Sequence, residues 1–298
     1  MGDTGEIAPA YAHIQSYKGM RLSGGALDKK QQVSIVFTDI DGTLVDNDHH
    51  PIATSADTMR RVADKVPICL VSARSPEGLY PIQRQLGFSG PIACFSGAYV
   101  LDGEGNELYS SVIPTEDALQ IKRYLEDELP HVLAATYGFH DWIVDDRSDP
   151  RVVREEYFVQ AESRQSRDLA GTFGDRGVHK FLLMGEPEDI LEAERTVSAR
   201  FPELTVVRSS DILCEVMSSG ASKSGAVKLL CEHYGVDTSE AIAFGDGPND
   251  IDMLQAVEHS YAMANAEPSV KDAATEVIAW SNVECGVARM LEQLVLGE

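Results

Sequence analysis

No stretch of this 298-residue chain approaches the roughly 18 uninterrupted apolar residues a membrane-spanning helix needs, so no span is expected. Cysteine is sparse. The five (Cys69, Cys94, Cys214, Cys231, Cys285) are odd in number, scattered, and contain no C-x-x-C pair. That pattern argues against a zinc ribbon and a disulfide framework, and the thiols read as small buried hydrophobes. Positive charge is also short: 25 Lys and Arg face 48 Asp and Glu, a formal net charge of −23 at pH 7. The balance argues against nucleic acid and anionic membrane surfaces as partners. A small anionic ligand is not excluded, because beyond a Debye length of about 8 Å the bulk charge is screened. Internal repeats and low-complexity tracts are absent. Residues 1–30 lack an apolar core behind a basic start, so a flexible N-terminal leader is expected rather than a signal peptide, on a cytoplasmic chain.

The 43% apolar content is that of a globular protein, and the length suggests two domains. Strands are expected at 33–37 and 68–71. Helices are expected at 54–65, capped by Ser55 or Thr54 and stopped by Pro67, and around Leu79, Ile82 and Leu86 up to Gly87. Strand and helix in alternation mark a parallel α/β sheet. The rhythm breaks after a strand at 92–95 and a hairpin in YVLDGEGNELYSS. A helix over 115–129, strands at 132–137 and 142–144, and a polar stretch to about Gly177 follow. A strand at 181–184, a helix over 187–201 and strands at 204–207 and 212–217 complete this part. Residues 113–208 are read as an inserted α+β domain between core segments 31–112 and 209–298. The first rhythm resumes with a helix at 224–234, a strand at 241–244 and a helix from about Asn249. A last core strand is expected in SYAMAN (260–265) and a closing helix over 286–296.

Ligands of an open α/β sheet collect at the carboxyl ends of its strands. Asp39, Asp41 and Thr43 follow the first strand, and Ser72 and Arg74 follow CLV. Lys223 opens a helix, and Asp246, Asn249 and Asp250 stand in GDGPND. Alone, DIDGT is a polar turn or a cation loop. A calcium EF-hand is excluded, since its glycine and glutamate positions hold Leu44 and His50. His49 and His50, adjacent before Pro51, are expected in solvent, and Arg74 is expected to pair with core carboxylates. In the insert His140 and Trp142 are the local candidates for substrate contact, although a surface His and a core Trp explain them as well.

In order, DIDGTLVD, VSAR, the isolated Lys223 and GDGPND resemble the four motifs of the haloacid dehalogenase superfamily of phosphohydrolases. The insert between the second and third motifs resembles a type-II cap. FSGAYVLDGEGNELY and AMANAEPSVKDAATEVIAWSNVECGVARMLEQL are similar to segments of the Cof-type branch, so the resemblance runs over about 33–298. It implies a Rossmann-like parallel-sheet core with an α+β cap. The implied activity is a Mg²⁺-dependent phosphatase acting on a small phosphorylated metabolite such as a sugar phosphate.

The resemblance further implies that Asp39 attacks phosphorus to give an aspartyl-phosphate. Asp41 would protonate the leaving alcohol and then deprotonate water, a role that needs a pKa above the usual value of about 3.9. Mg²⁺ would be held by the Asp39 carboxylate, the Asp41 backbone carbonyl and Asp246, with Asp250 binding directly or through water. Ser72, Thr43 and the amides near Gly42 would contact phosphate, Lys223 would offset its charge, and Asn249 would reach phosphate or hold Lys223. Three positions depart from the family pattern: Ser72-Ala73-Arg74 for T-G-R, Ser96-Gly97-Ala98 for N-G-A, and Cys285 where an acid is common. A phosphomutase of the phosphomannomutase type shares the four core motifs. A signalling receiver fits poorly, because its acids are adjacent and it carries no large insert. Homo-oligomer formation is left open by the sequence.

Overall fold

The computed structural model describes residues 32–298, so the expected leader at 1–30 lies outside the described residues. Strands β1 (Ile35–Thr38), β2 (Ile68–Val71), β3 (Ile92–Cys94), β4 (Tyr99–Leu101) and β5 (Glu107–Ser110) begin a first sheet. A second sheet holds β6 (Leu133–Gly138), β7 (Asp141–Val144), β8 (Arg164–Gln165), β9 (Lys180–Met184), β10 (Leu204–Ser210) and β11 (Leu213–Ser218). Strands β12 (Ala241–Gly245), β13 (His259–Ala262) and β14 (Glu276–Val277) complete the first sheet. The helices are α1 (Ala56–Ala63), α2 (Pro76–Leu86), α3 (Thr115–Glu128), α4 (Pro150–Val159) and α5 (Leu169–Phe173). They continue with α6 (Pro187–Arg200), α7 (Lys223–Tyr234), α8 (Ile251–Leu254), α9 (Pro268–Ala273) and α10 (Gly286–Leu291).

The order β14-β13-β12-β1-β2-β3-β4-β5 sets β1 between strands distant in sequence, with Val36 opposite both Ile242 and Ile68. From β14 to β3 all pairings are parallel, and β4 and β5 add antiparallel strands at one edge. Strands buried on both faces need no polar side, which is why IVFT, ICLV and AIAFG are buried at every position. Connections leave β1 toward β2 on one side and reach β12 on the other. The carboxyl ends of these strands therefore open on a crevice at the switch point.

The second sheet runs β10-β11-β9-β6-β7-β8, antiparallel except for β7–β8. Alternation along β9 sends Phe181 and Leu183 to a core shared with Ile121 and Leu125 of α3 and Ile190 and Val197 of α6. Its other face carries Lys180, Leu182 and Met184 and turns toward the first sheet, where Leu182 and Met184 join the large core together with Val152 of α4. The end of α4 also meets the first sheet's loops. Gln160 Nε2 donates to the His49 carbonyl at 3.4 Å, and Gln85 Nε2 donates to Gln160 Oε1 at 2.9 Å. No helix of the described residues is long and apolar enough to cross a membrane.

Several elements differ from the sequence reading. The polar stretch before Gly177 contains α4, α5 and β8, and α4 starts on Asp149, whose carboxylate accepts the Arg151 amide at 2.9 Å ahead of Pro150. The boundary placed at 208 falls inside β10, and β11 pairs with β9, so the second sheet continues to Ser218. Sheet register decides that limit, and composition does not reveal it. SYAMAN is not the last core strand, because β14 pairs outside β13. Ser55 does not cap α1; its hydroxyl donates back to the Ile52 carbonyl at 2.7 Å and a 3₁₀ turn precedes the helix. The closing segment tightens into α10 and then loosens into a π turn at Glu292–Leu296.

His179 is fully buried where the two sheets meet. Its Nδ1 accepts the Phe139 amide at 3.0 Å, which leaves Nε2 to donate to the Ser110 hydroxyl at 3.0 Å. The ring centroid lies 4.8 Å from that of Tyr99 and 5.2 Å from that of Phe95. Burial, helped by Arg176, pushes the pKa down to about 3 from an ordinary 6.5. The unfolded chain therefore binds the proton first as pH falls. Stability from the neutral ring is complete above pH 6.5 and is lost on acidification toward pH 3, by about 2 kcal/mol at pH 5. Denaturant midpoints measured from pH 7.5 to 5 should fall accordingly in the wild type. In His179→Asn they should start lower and slope less.

Candidate active site

Four strand ends meet in the crevice. Asp39 leaves β1 with its amide bonded to the Phe244 carbonyl of β12 at 3.0 Å, so the backbone pairing of the sheet fixes its place. Lys223, at the start of α7, is buried with its Nζ donating to Asp39 Oδ1 at 2.7 Å and to Asp250 Oδ1 at 2.6 Å. The other oxygen of Asp250 accepts the amides of Asp246 and Gly247 at 3.0 and 2.9 Å. Asp250 is thus the anchor of its loop and of Lys223. It has 0% exposure.

These carboxylates act on one another. Burial raises the Asp39 pKa well above its usual value, Asp250 adds to this, and Lys223 opposes it. Asp246 is pushed up to about 6, chiefly by burial, with the Thr43 hydrogen bond opposing and Asp250 contributing. Burial disfavours the Lys223 ammonium, but Asp39 and Asp250 outweigh it and hold its pKa above the ordinary lysine value. Asp39, Asp246 and Asp250 each present an oxygen within 4.8 Å of the others. An all-oxygen cluster of three neighbouring carboxylates suits a hard divalent cation.

Thr43 does not point to an open phosphate position. It is buried, and its hydroxyl donates to Asp246 Oδ1 at 2.8 Å. Gly42 adopts φ +78, and a Cβ there would lie 2.2 Å from Asp246 Oδ2, so only glycine lets the two loops close on each other. Asn249 is exposed and makes no bond to Lys223, whose partners are both carboxylates. Ser72 is buried at the end of β2, its Oγ accepting the Arg74 amide at 3.2 Å, which leaves the hydroxyl proton to donate.

Asp41 differs most from expectation. Arg74 donates to it through Nε at 3.0 Å and Nη2 at 2.5 Å, and His49 Nδ1 lies 2.6 Å from Oδ1. Burial would raise its pKa, but the His49 hydrogen bond and the Arg74 guanidinium prevail and hold it well below the carboxylate range. The expected upward shift is therefore not present in this arrangement. His49 was expected in solvent, yet it adopts φ +63 and its ring also meets Phe158 edge-on at 5.1 Å. His50 makes a looser edge contact with Tyr157 at 6.4 Å. In the second sheet, His140 pairs with Glu77 at 2.8 Å and Trp142 is buried against Tyr137 at 5.0 Å.

Sequence reasoning missed Asn265, whose Nδ2 donates to the Gly42 carbonyl at 2.8 Å and whose Oδ1 accepts the Asn282 amide at 3.0 Å. Its place just past the carboxyl end of β13 was the available signal. Gly97 was noted only as part of a motif. With φ +94, a Cβ there would sit 2.2 Å from the Ser222 carbonyl, so this glycine sets the distance to the α7 start that carries Lys223.

A doubly wound sheet with an acidic cluster and a buried lysine at its switch point defines a hydrolase of the phosphoryl-transfer kind. The family of haloacid dehalogenase-like hydrolases matches residues 36–291, and the chain belongs to it. A Haemophilus influenzae protein named "Putative phosphatase" is 35% identical over 259 residues, covering 87% of this chain and 97% of its own. The HMP-PP phosphatase of Serratia proteamaculans is 26% identical over 239 residues, covering 78% and 84%. Among solved structures, a haloacid dehalogenase-like hydrolase from Bacteroides thetaiotaomicron aligns with TM-score 0.81 at 26% identity, over 88% of this chain and 100% of that one.

Proposed function

We propose that the protein is a Mg²⁺-dependent phosphatase that hydrolyses a small sugar-phosphate-like phosphomonoester through an aspartyl-phosphate on Asp39. One observation carries this reading. Buried Lys223 fixes one oxygen of Asp39, while the other has no hydrogen bond among the described residues and remains available to attack.

Attack by that oxygen forms the acyl phosphate as the P–O bond to the leaving group breaks. Asp41 gives the departing oxygen a proton, and His49 Nδ1, at 2.6 Å, is the group placed to supply it. Water then attacks the acyl phosphate. Asp41, a carboxylate again once its proton has gone to the leaving group, takes the proton from that water and passes it to His49 Nδ1, which restores both groups. Phosphate leaves and Asp39 is regenerated. Asp39, Asp246 and the Asp41 carbonyl would hold Mg²⁺, with Asp250 steadying the loop. When bound, the ion supplies neutralising charge for the phosphoryl oxygens. Ser72 would donate to the phosphate. The second sheet would serve as the cap that keeps bulk water from the intermediate.

The test is release of inorganic phosphate from a panel of phosphomonoesters, with Mg²⁺ and then with excess EDTA. Turnover that disappears with the chelator and returns with Mg²⁺ is expected. Isomerised sugar phosphate without free phosphate would instead indicate a mutase.

A further inference from the structure

The loop that carries His49 is closed by its own residues. The Asp46 amide donates to the His50 carbonyl at 2.9 Å, the His49 amide donates to the Asp46 carbonyl at 3.1 Å, and Asp46 Oδ1 accepts the His50 amide at 2.9 Å. These bonds close the turn with His49 at φ +63, but none of them reaches the imidazole. A ring on an sp³–sp² torsion turns in a broad, roughly two-fold well, so the backbone alone does not decide which ring edge faces Asp41. Arg74 works against the observed edge. Its Nη2 shares Asp41 Oδ1 with His49 Nδ1 and lies 3.5 Å from that nitrogen, so two donors crowd one oxygen.

What holds the ring there comes from the inserted domain. At the end of α4 the Phe158 ring meets the imidazole edge-on, with centroids 5.1 Å apart and planes at 63°. Gln160, left-handed at φ +54, donates from Nε2 to the His49 carbonyl at 3.4 Å. Gln85 Nε2 fixes that amide in turn by donating to its Oε1 at 2.9 Å. The insert is also tied down elsewhere. Lys180 Nζ, 3.5 Å from Glu215 Oε2, donates to the Ala73 carbonyl at 2.7 Å, so a change at Phe158 leaves the insert seated.

We propose that Phe158 and Gln160 are positioning residues of the proton relay: through them the inserted domain keeps His49 Nδ1 on Asp41, and protonation of the leaving group depends on both. This rests on the phosphatase reading. There the His49 Nδ1 proton moves to Asp41 as the proton of Asp41 passes to the departing oxygen, and it returns by the same route when water is deprotonated. Phe158 and Gln160 act through His49 alone. Their loss should therefore matter only where the leaving group needs a proton.

The test compares kcat/KM for an alkyl phosphomonoester, such as a hexose phosphate, with that for p-nitrophenyl phosphate. This quantity covers the steps up to departure of the leaving group, and p-nitrophenolate departs without a proton whereas an alkoxide does not. Phe158→Leu should lower the alkyl value about tenfold and the aryl value no more than about twofold. Gln160→Gly suits the left-handed position and removes only the amide, so it carries the test if Phe158→Leu unfolds. It should shift the ratio in the same direction by a smaller factor. Added to His49→Ala, Phe158→Leu should cost nothing more, because the ring it positions is gone. Equal losses on both esters, or a full further loss in the His49→Ala background, would overturn the inference. A wild type that turns over no alkyl ester overturns the phosphatase reading itself, which is a different result.

Discussion

Asparagine in place of Asp39 should lower phosphomonoester turnover by about 10³-fold or more, because the amide cannot form the acyl phosphate. The fold should not suffer. Asparagine has nearly the same volume, and its carbonyl oxygen can still accept from Lys223, which bonds Asp39 at 2.7 Å. The substitution also removes one of the buried carboxylates that disfavour each other's charge, since Asp250 and Asp41 both push the Asp39 pKa upward. The melting temperature of Asp39→Asn should therefore equal or exceed that of the wild type without metal. A stable variant that kept activity within tenfold would mean that another group attacks phosphorus.

Lys223→Met should act on stability as well as chemistry. The ammonium is the shared counter-charge of Asp39 and Asp250, and the side chains of all three are at most 8% exposed. Methionine fills the space but leaves two carboxylates buried without a cation. Removing one partner of a buried ion pair costs about 3–5 kcal/mol. In a chain of this size that corresponds to a fall of roughly 10 °C in melting temperature. Activity should vanish too, since the anchor between Asp39 and the Asp246–Asp250 loop is lost. Thermal melts of the metal-free protein separate the two effects, and a melting temperature unchanged within 2–3 °C of the wild type would remove Lys223 from its structural role.

How much of this was legible depended on the range of the signal. Apolar runs and strand-end acids are local, so β1, β2 and β12 and the acids behind them were found from short segments. The roles within the cluster were less accessible. Thr43 and Asp246 stand far apart in sequence, and only the folded crevice shows that the hydroxyl holds Asp246 at 2.8 Å. His49 reaches Asp41 through a left-handed turn that nothing in the His-His-Pro sequence specifies. Lys180 and Glu215 looked like ordinary charged residues because their burial depends on which face of the second sheet meets the first. By contrast, α4 was legible and overlooked: Asp149-Pro150 is a helix start signal, hidden by the charged residues after it.

The central claim is a covalent phosphate on Asp39. The enzyme should be mixed with a turned-over phosphomonoester, quenched in acid within the first turnover and reduced with borohydride, which converts an acyl phosphate to an alcohol. Mass spectrometry of the peptide spanning Asp39 should then show homoserine at position 39, and none in a sample quenched without substrate. Phosphate release with an unmodified Asp39 at every quench time would contradict the account and point to direct attack by water.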